Sequence, residues 1–160
     1  MSVFVNVYRW LLPAALLTAG CSHQLIPNTD VEDTAENRAA IQFCETYRKA
    51  VELRDVGRLM QMAAPDYYED GGNVDASDDL DHAGLEEYLK TKFKDTRAIR
   101  YEIRYRRVTG APNDVTDVDF TYTASYKLGT EEGEVWRRTV ADNRLELRRK
   151  GDSFEILSGM

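Results

Sequence analysis

Apolar positions change their spacing twice along the chain, and each change marks a boundary. Residues 10–17, "WLLPAALL", form the only strongly apolar run. Further on the spacing becomes helical: Ala40, Cys44, Tyr47 and Val51 recur at four, three and four, and Phe43 and Ala50 widen the stripe. Thr29-Asp30-Val31-Glu32 reads as a capping box, so the first helix is expected from about residue 30 to Leu53. Asp55 caps a second, short helix with apolar Val56, Leu59, Met60 and Ala63, which Pro65 ends at Ala64. "DYYEDGG", residues 66–72, is a brief extended piece. An acidic loop then leads to Asp81, the cap of a third helix carrying Leu85, Tyr88, Leu89 and Phe93.

From Ile99 the period is two. Ile99, Tyr101, Ile103 and Tyr105 alternate with Arg100, Glu102, Arg104 and Arg106, and Arg107-Val108 breaks the parity as a bulge would. "TGAPND" turns the chain into a second strand with Val118, Phe120, Tyr122, Ala124, Tyr126 and Leu128 on one face, and "GTEEGE" turns it again. A third strand begins at Val135 and is expected to break near Asp142-Asn143. "NRLELRRKGDSFEIL" then makes a last hairpin about Lys150-Gly151-Asp152. Three helices followed by a strand meander predict an α+β fold, helices packed on one face of a curved antiparallel sheet.

The apolar run near the N-terminus has a different use. One charge, Arg9, precedes it, and the small residues Thr18-Ala19-Gly20 follow, which is the order of a secretory signal. The run is too short to span a bilayer, which takes about 20 apolar residues. Ala19-Gly20 leads straight into Cys21, and "LLTAGC" resembles the lipobox of bacterial lipoproteins. That resemblance implies cleavage after residue 20 and lipid on Cys21. With Ser22 next in the chain, it also implies anchoring in the outer membrane, facing the periplasm. Residues 1–20 are thus expected to be a lipoprotein signal, 21–29 a tether and 30–160 one domain.

Without its signal the chain has 20 basic and 28 acidic side chains, which excludes a nucleic-acid partner. Charge is uneven: residues 21–89 hold 5 basic and 16 acidic groups, residues 90–160 hold 15 and 12. Arg100, Arg104 and Arg106 face outward and are expected to pair with Asp117 and Asp119 across the neighbouring strand. Cys44, on the apolar face of its helix, is a buried small hydrophobe. His23 and His82 are far apart, so no zinc-type ligand set exists. Asp75, Ser77, Asp79 and Glu86 match positions one, three, five and twelve of a calcium loop, but Leu80 stands where that loop needs Gly; no metal or cofactor is expected.

"YRKAVELRDVGRLMQMAAPDYYEDGG" and the ending "LELRRKGDSFEILSGM" resemble the NTF2-like superfamily, a cone-shaped fold that includes ketosteroid isomerase, scytalone dehydratase and SnoaL-like cyclases. The resemblance implies, by analogy with the isomerase, a phenol donor at Tyr47 and a carboxylate base at Asp70. The isomerase's second acid has no counterpart, since Trp136, Arg138 and Val140 stand there. Tyr101, Tyr105, Tyr122 and Tyr126, with Trp136 and Arg138 taken as inward, are candidate pocket residues, and Arg138 would then need Asp70 as a buried partner. The expected function is a membrane-anchored binding or interaction module for a small apolar ligand or an envelope protein, with a homodimer as a further partnership. The alternative is an isomerase, dehydratase or cyclase acting on a small apolar carbonyl compound.

Overall fold

A computed structural model describes residues 24–71, 79–131 and 133–160. The signal-like run, Cys21, His23, and the loop positions Asp75, Ser77 and Asp78 lie outside the described residues.

Helix α1 (Ala35–Leu53) buries Ala40, Ile41, Cys44, Tyr47 and Ala50, with Phe43 and Val51 of the predicted stripe partly buried at its margins. It starts five residues later than the capping box suggested. Thr34 is the N-cap, accepting from the Asn37 amide at 3.1 Å. Thr29 instead stabilises a turn, donating to the Ile26 carbonyl and accepting from the Val31 amide. A bridge between Leu25 and Glu32 closes that turn, and buried Val31 fixes it to the core. Helix α2 (Val56–Met62) begins at Asp55 as expected, and α3 (His82–Lys94) at Asp81, which accepts from the Gly84 amide at 2.7 Å. Between them β1 (Tyr68–Glu69) and β2 (Leu80–Asp81) form a two-residue ladder.

The main sheet has the order β3-β4-β5-β6, antiparallel throughout: β3 (Thr96–Ala111), β4 (Val115–Thr130), β5 (Gly133–Lys150) and β6 (Ser153–Ser158). The expected bulge is present, a register shift between Tyr105 and Arg107, with a second between Thr96 and Ala98. These shifts help curve the sheet around the helices. The three helices pack on its concave face over Ile99, Tyr101, Val118, Phe120, Leu145, Leu147 and Ile156, all buried. Asn113 and Asp114 both take left-handed backbone at the β3–β4 turn, the conformation that two-residue hairpin loops favour.

One strand departs from expectation. β5 runs unbroken for 18 residues, and its register against β4 never slips. Buried Leu145 and Leu147 therefore set the parity of the whole strand. Val135, Arg137, Thr139, Ala141 and Asn143 share the concave side, while Trp136, Arg138 and Val140 lie on the convex side. The expected inward placement of Trp136 and Arg138 is thus corrected: Trp136 is 46% exposed, beneath the Arg100 guanidinium at 5.1 Å. Arg138 stands opposite Ser125, exposed, with no buried charge to balance.

Outward arginines also pair differently from the forecast. Arg104 and Arg106 both take Asp30, at 2.8 and 3.0 Å, whereas Asp119 is held by Arg107 and Arg144.

Parts of the sheet's edges are engaged by the chain itself, while β6 covers β5 only from Glu146 to Lys150. On β3, Arg54 donates to the Thr96 carbonyl, Glu52 accepts from the Tyr101 amide, Arg48 donates to the Tyr101 carbonyl, and the Asp30 amide donates to Tyr105. On β6, the Ala64 amide donates to the Ile156 carbonyl at 2.8 Å.

Candidate functional site

Between α1, α3 and the concave sheet lies a cavity of about 460 Å³. α1 contributes Tyr47 and Val51 because 4-residue spacing brings both to one face. α3 contributes Tyr88, Leu89, Lys92 and Phe93. Tyr101 projects from β3, Tyr122 and Tyr126 from β4, and Asn143 from β5, with Met160 completing the wall. Tyr47 meets Tyr101 edge-on at 6.4 Å, and Tyr101 meets Tyr122 at 5.3 Å. Burial, then neighbouring phenols, holds Tyr47 well above the ordinary tyrosine range; burial also raises Tyr101 and Tyr126. These hydroxyls stay protonated at neutral pH. The interior is an apolar chamber with neutral hydrogen-bond donors, the usual make-up of a small-molecule site.

Of the residues expected to form this site, Tyr47, Tyr101, Tyr122 and Tyr126 line it. Tyr105 does not: it is buried beside the cavity in the core, donating to Glu45 Oε1 at 2.9 Å. Trp136 and Arg138 are on the opposite face of the sheet. Asp70 is solvent-exposed and is not in the lining. In β1 the inward residue is Glu69, preceded by buried Tyr67. Glu69 accepts from the Gly159 amide at 2.6 Å, Tyr67 Oη from the Met160 amide at 3.2 Å, and Asn143 donates to the Gly159 carbonyl at 2.9 Å. This triple anchorage holds Met160 against the cavity. Sequence reasoning passed over Asn143, Lys92 and Met160. Extending the parity of Leu145 and Leu147 backward would have found Asn143.

A wider, open depression of about 910 Å³ lies near the β3 bulge, around Arg106, Arg107, Asp119, Asp142 and Arg144. Its arginines are already engaged by Asp30 and Asp119, and Thr121 donates to Asp142 at 2.6 Å. Its charges are satisfied internally, so the enclosed tyrosine chamber is the better candidate. Among the described residues no group of three His, Cys, Asp or Glu side chains is placed to hold a metal ion, and no helix is long and apolar enough to cross a membrane.

No protein-family model and no curated protein matches the chain. Solved structures do. A candidate scytalone dehydratase from Novosphingobium aromaticivorans is 9% identical with a TM-score of 0.66, covering 78% of this chain and 80% of that one. A candidate dehydratase of the NTF2-like family from Streptomyces avermitilis is 13% identical at TM-score 0.60, covering 77% and 92%. The Kfla4162 protein of Kribbella flavida is 14% identical at TM-score 0.62, covering 77% and 86%. At such identities the likeness bears on the fold alone. Three helices on a curved four-stranded antiparallel sheet, shared with these structures, give this chain the NTF2-like fold.

Proposed function

We propose that this domain is a binding module that takes a small, largely apolar ligand into the tyrosine-lined interior. The observation that carries the reading is the lining itself: among the described residues it has five tyrosines and no Asp or Glu side chain. Phenols kept neutral by burial donate hydrogen bonds to a carbonyl or hydroxyl oxygen, and the aromatic walls bury the ligand's ring. Enolisation would need a base within hydrogen-bond reach of the ligand, and no Asp, Glu or His side chain stands in the described lining. The domain works in the cell envelope, lipid-anchored through Cys21; the order of Arg9, the apolar run and "TAGC" supports this location. Mass spectrometry of the mature N-terminus checks it: a diacylated Cys21 is expected, and an unmodified one refutes the anchor.

A second reading, an isomerase, dehydratase or cyclase, is favoured by the shared fold of the two candidate dehydratases. It would have Glu69 or Asp70 reach the ligand. One experiment separates the two. 2-Acetylnaphthalene at about 100 times its Kd should stabilise the protein by about 2.7 kcal/mol, raising Tm by several degrees. Val51→Phe, which fills the chamber from α1, should abolish the rise. A β,γ-unsaturated cyclic ketone should not be isomerised. Turnover that disappears in Glu69→Gln or Asp70→Asn while Tm is retained would replace the binding reading with the enzymatic one.

A further inference from the structure

Resting on the binding reading, we infer that the ligand is an anion, an aromatic or alicyclic carboxylate whose ring enters the chamber and whose charge meets Lys92 at the mouth. The cavity has a deep end and an open end. Tyr47 and Tyr101, 4% and 5% exposed, form the deep end, while Tyr88, 38% exposed, and solvent-exposed Lys92 form the rim. Lys92 has the only charged side chain in the described lining. Its ammonium stands over the Tyr88 ring, 5.1 Å from the centroid, which holds it at the opening.

Lys92 makes no ion pair among the described residues. Other Lys and Arg side chains, Lys94 and Arg97 close by among them, also make none, so what sets Lys92 apart is its place in the cavity lining. Lys90 on the same helix pairs with Glu86, and Lys127 at the same end of the sheet pairs with Glu134. Arg137 lies directly across from Tyr126 in the sheet, exposed and outside the lining. A cation left unpaired beside an apolar chamber complements an amphipathic anion. The group is a carboxylate rather than a phosphate, because one ammonium is a single point charge. Phosphate recognition draws on guanidinium forks or several converging amides, and the lining has neither.

A matched pair of probes tests the charge separately from the cavity. 2-Naphthoate and 2-naphthamide have the same ring system and nearly the same outline, and differ in charge. Binding to the full chain is measured by calorimetry at low ionic strength. Naphthoate is expected to bind about two- to fivefold tighter than the amide, the range for a solvent-exposed ion pair. Lys92→Gln should bring the two affinities together by weakening naphthoate alone, and high salt should shrink the difference in the parent protein. Lys92 is exposed, so the variant keeps its fold. If the amide binds and naphthoate binds no better, or if the preference is unchanged in Lys92→Gln, the charge assignment is overturned while the binding reading stands. If neither probe binds, both fall.

Discussion

Gly159 has no room for a side chain. Its φ is +94°, and a Cβ built there would lie 1.8 Å from the Arg144 carbonyl oxygen, backbone that cannot swing aside. The same residue gives its amide to Glu69 and its carbonyl to Asn143, so the steric limit and the position of Met160 in the cavity wall are one problem. Gly159→Ala should cost about 2 kcal/mol or more and lower Tm by several degrees in thermal denaturation. A variant as stable as the parent would show that this segment is not held as described. Nothing in the sequence pointed to this glycine, because the clash is with a residue 15 positions earlier in the chain. Tyr47, by contrast, was legible, since four-residue spacing puts it on the buried face of α1 whatever the tertiary structure. Asp70 falls outside the cavity lining for a physical reason: β1 is only two residues long, and an offset of one exchanges the inward and outward carboxylates.

Among the elements, β5 shows most clearly what a local pattern leaves out. Asp142-Asn143 looked like a break because two adjacent polar residues are poor strand formers. In the sheet each finds a partner on its own face: Asp142 accepts from Thr121, and Asn143 donates to Gly159. The strand continues through them, and its parity follows Leu145 and Leu147. Stability should therefore divide by face. Leu147→Ala should cost about 2–5 kcal/mol, whereas Arg138→Met and Trp136→Ala should each stay within about 0.5 kcal/mol, read from urea midpoints. A large loss at Arg138 would mean that the convex side is covered. The alternations of β3 and β4 were readable because Ile99 to Tyr105 and Val118 to Leu128 each keep one parity, and the break at Arg107 is visible in the sequence itself. The start of α1 was not, because Thr29 and Thr34 both carry capping chemistry, and only the Leu25–Glu32 turn decides between them.

At the scale of the whole molecule, the buried phenols set an alkaline limit. Burial pushes Tyr67 up to about 12 from 10.0, and raises Tyr47, Tyr101 and Tyr105 as well. A folded state that resists ionisation contributes its full stability below the unfolded value, about pH 10, and loses it as pH rises through the folded values. Tm should hold steady to about pH 9.5 and fall steeply above it, with phenolate absorbance appearing only as the protein unfolds. A curve still flat at pH 12 would contradict the burial of these side chains. Carboxylates act in the opposite direction: Arg144 and Arg107 lower Asp119, and Lys150 and Arg148 lower Glu155, so their contribution is lost as acid protonates them. The side chains and amides that engage β3 and β6 have a consequence of another kind. With Thr96, Tyr101, Tyr105 and Ile156 already engaged, an extended peptide meets no open row along β3 up to Tyr105 or along β6, whereas β5 from Gly133 to Ala141, beyond the reach of β6, has no strand on its outer side among the described residues. Molecules crowded side by side, or a visiting protein that lends a strand, would therefore find open backbone along that part of β5 rather than along β3 beside α1 or along β6.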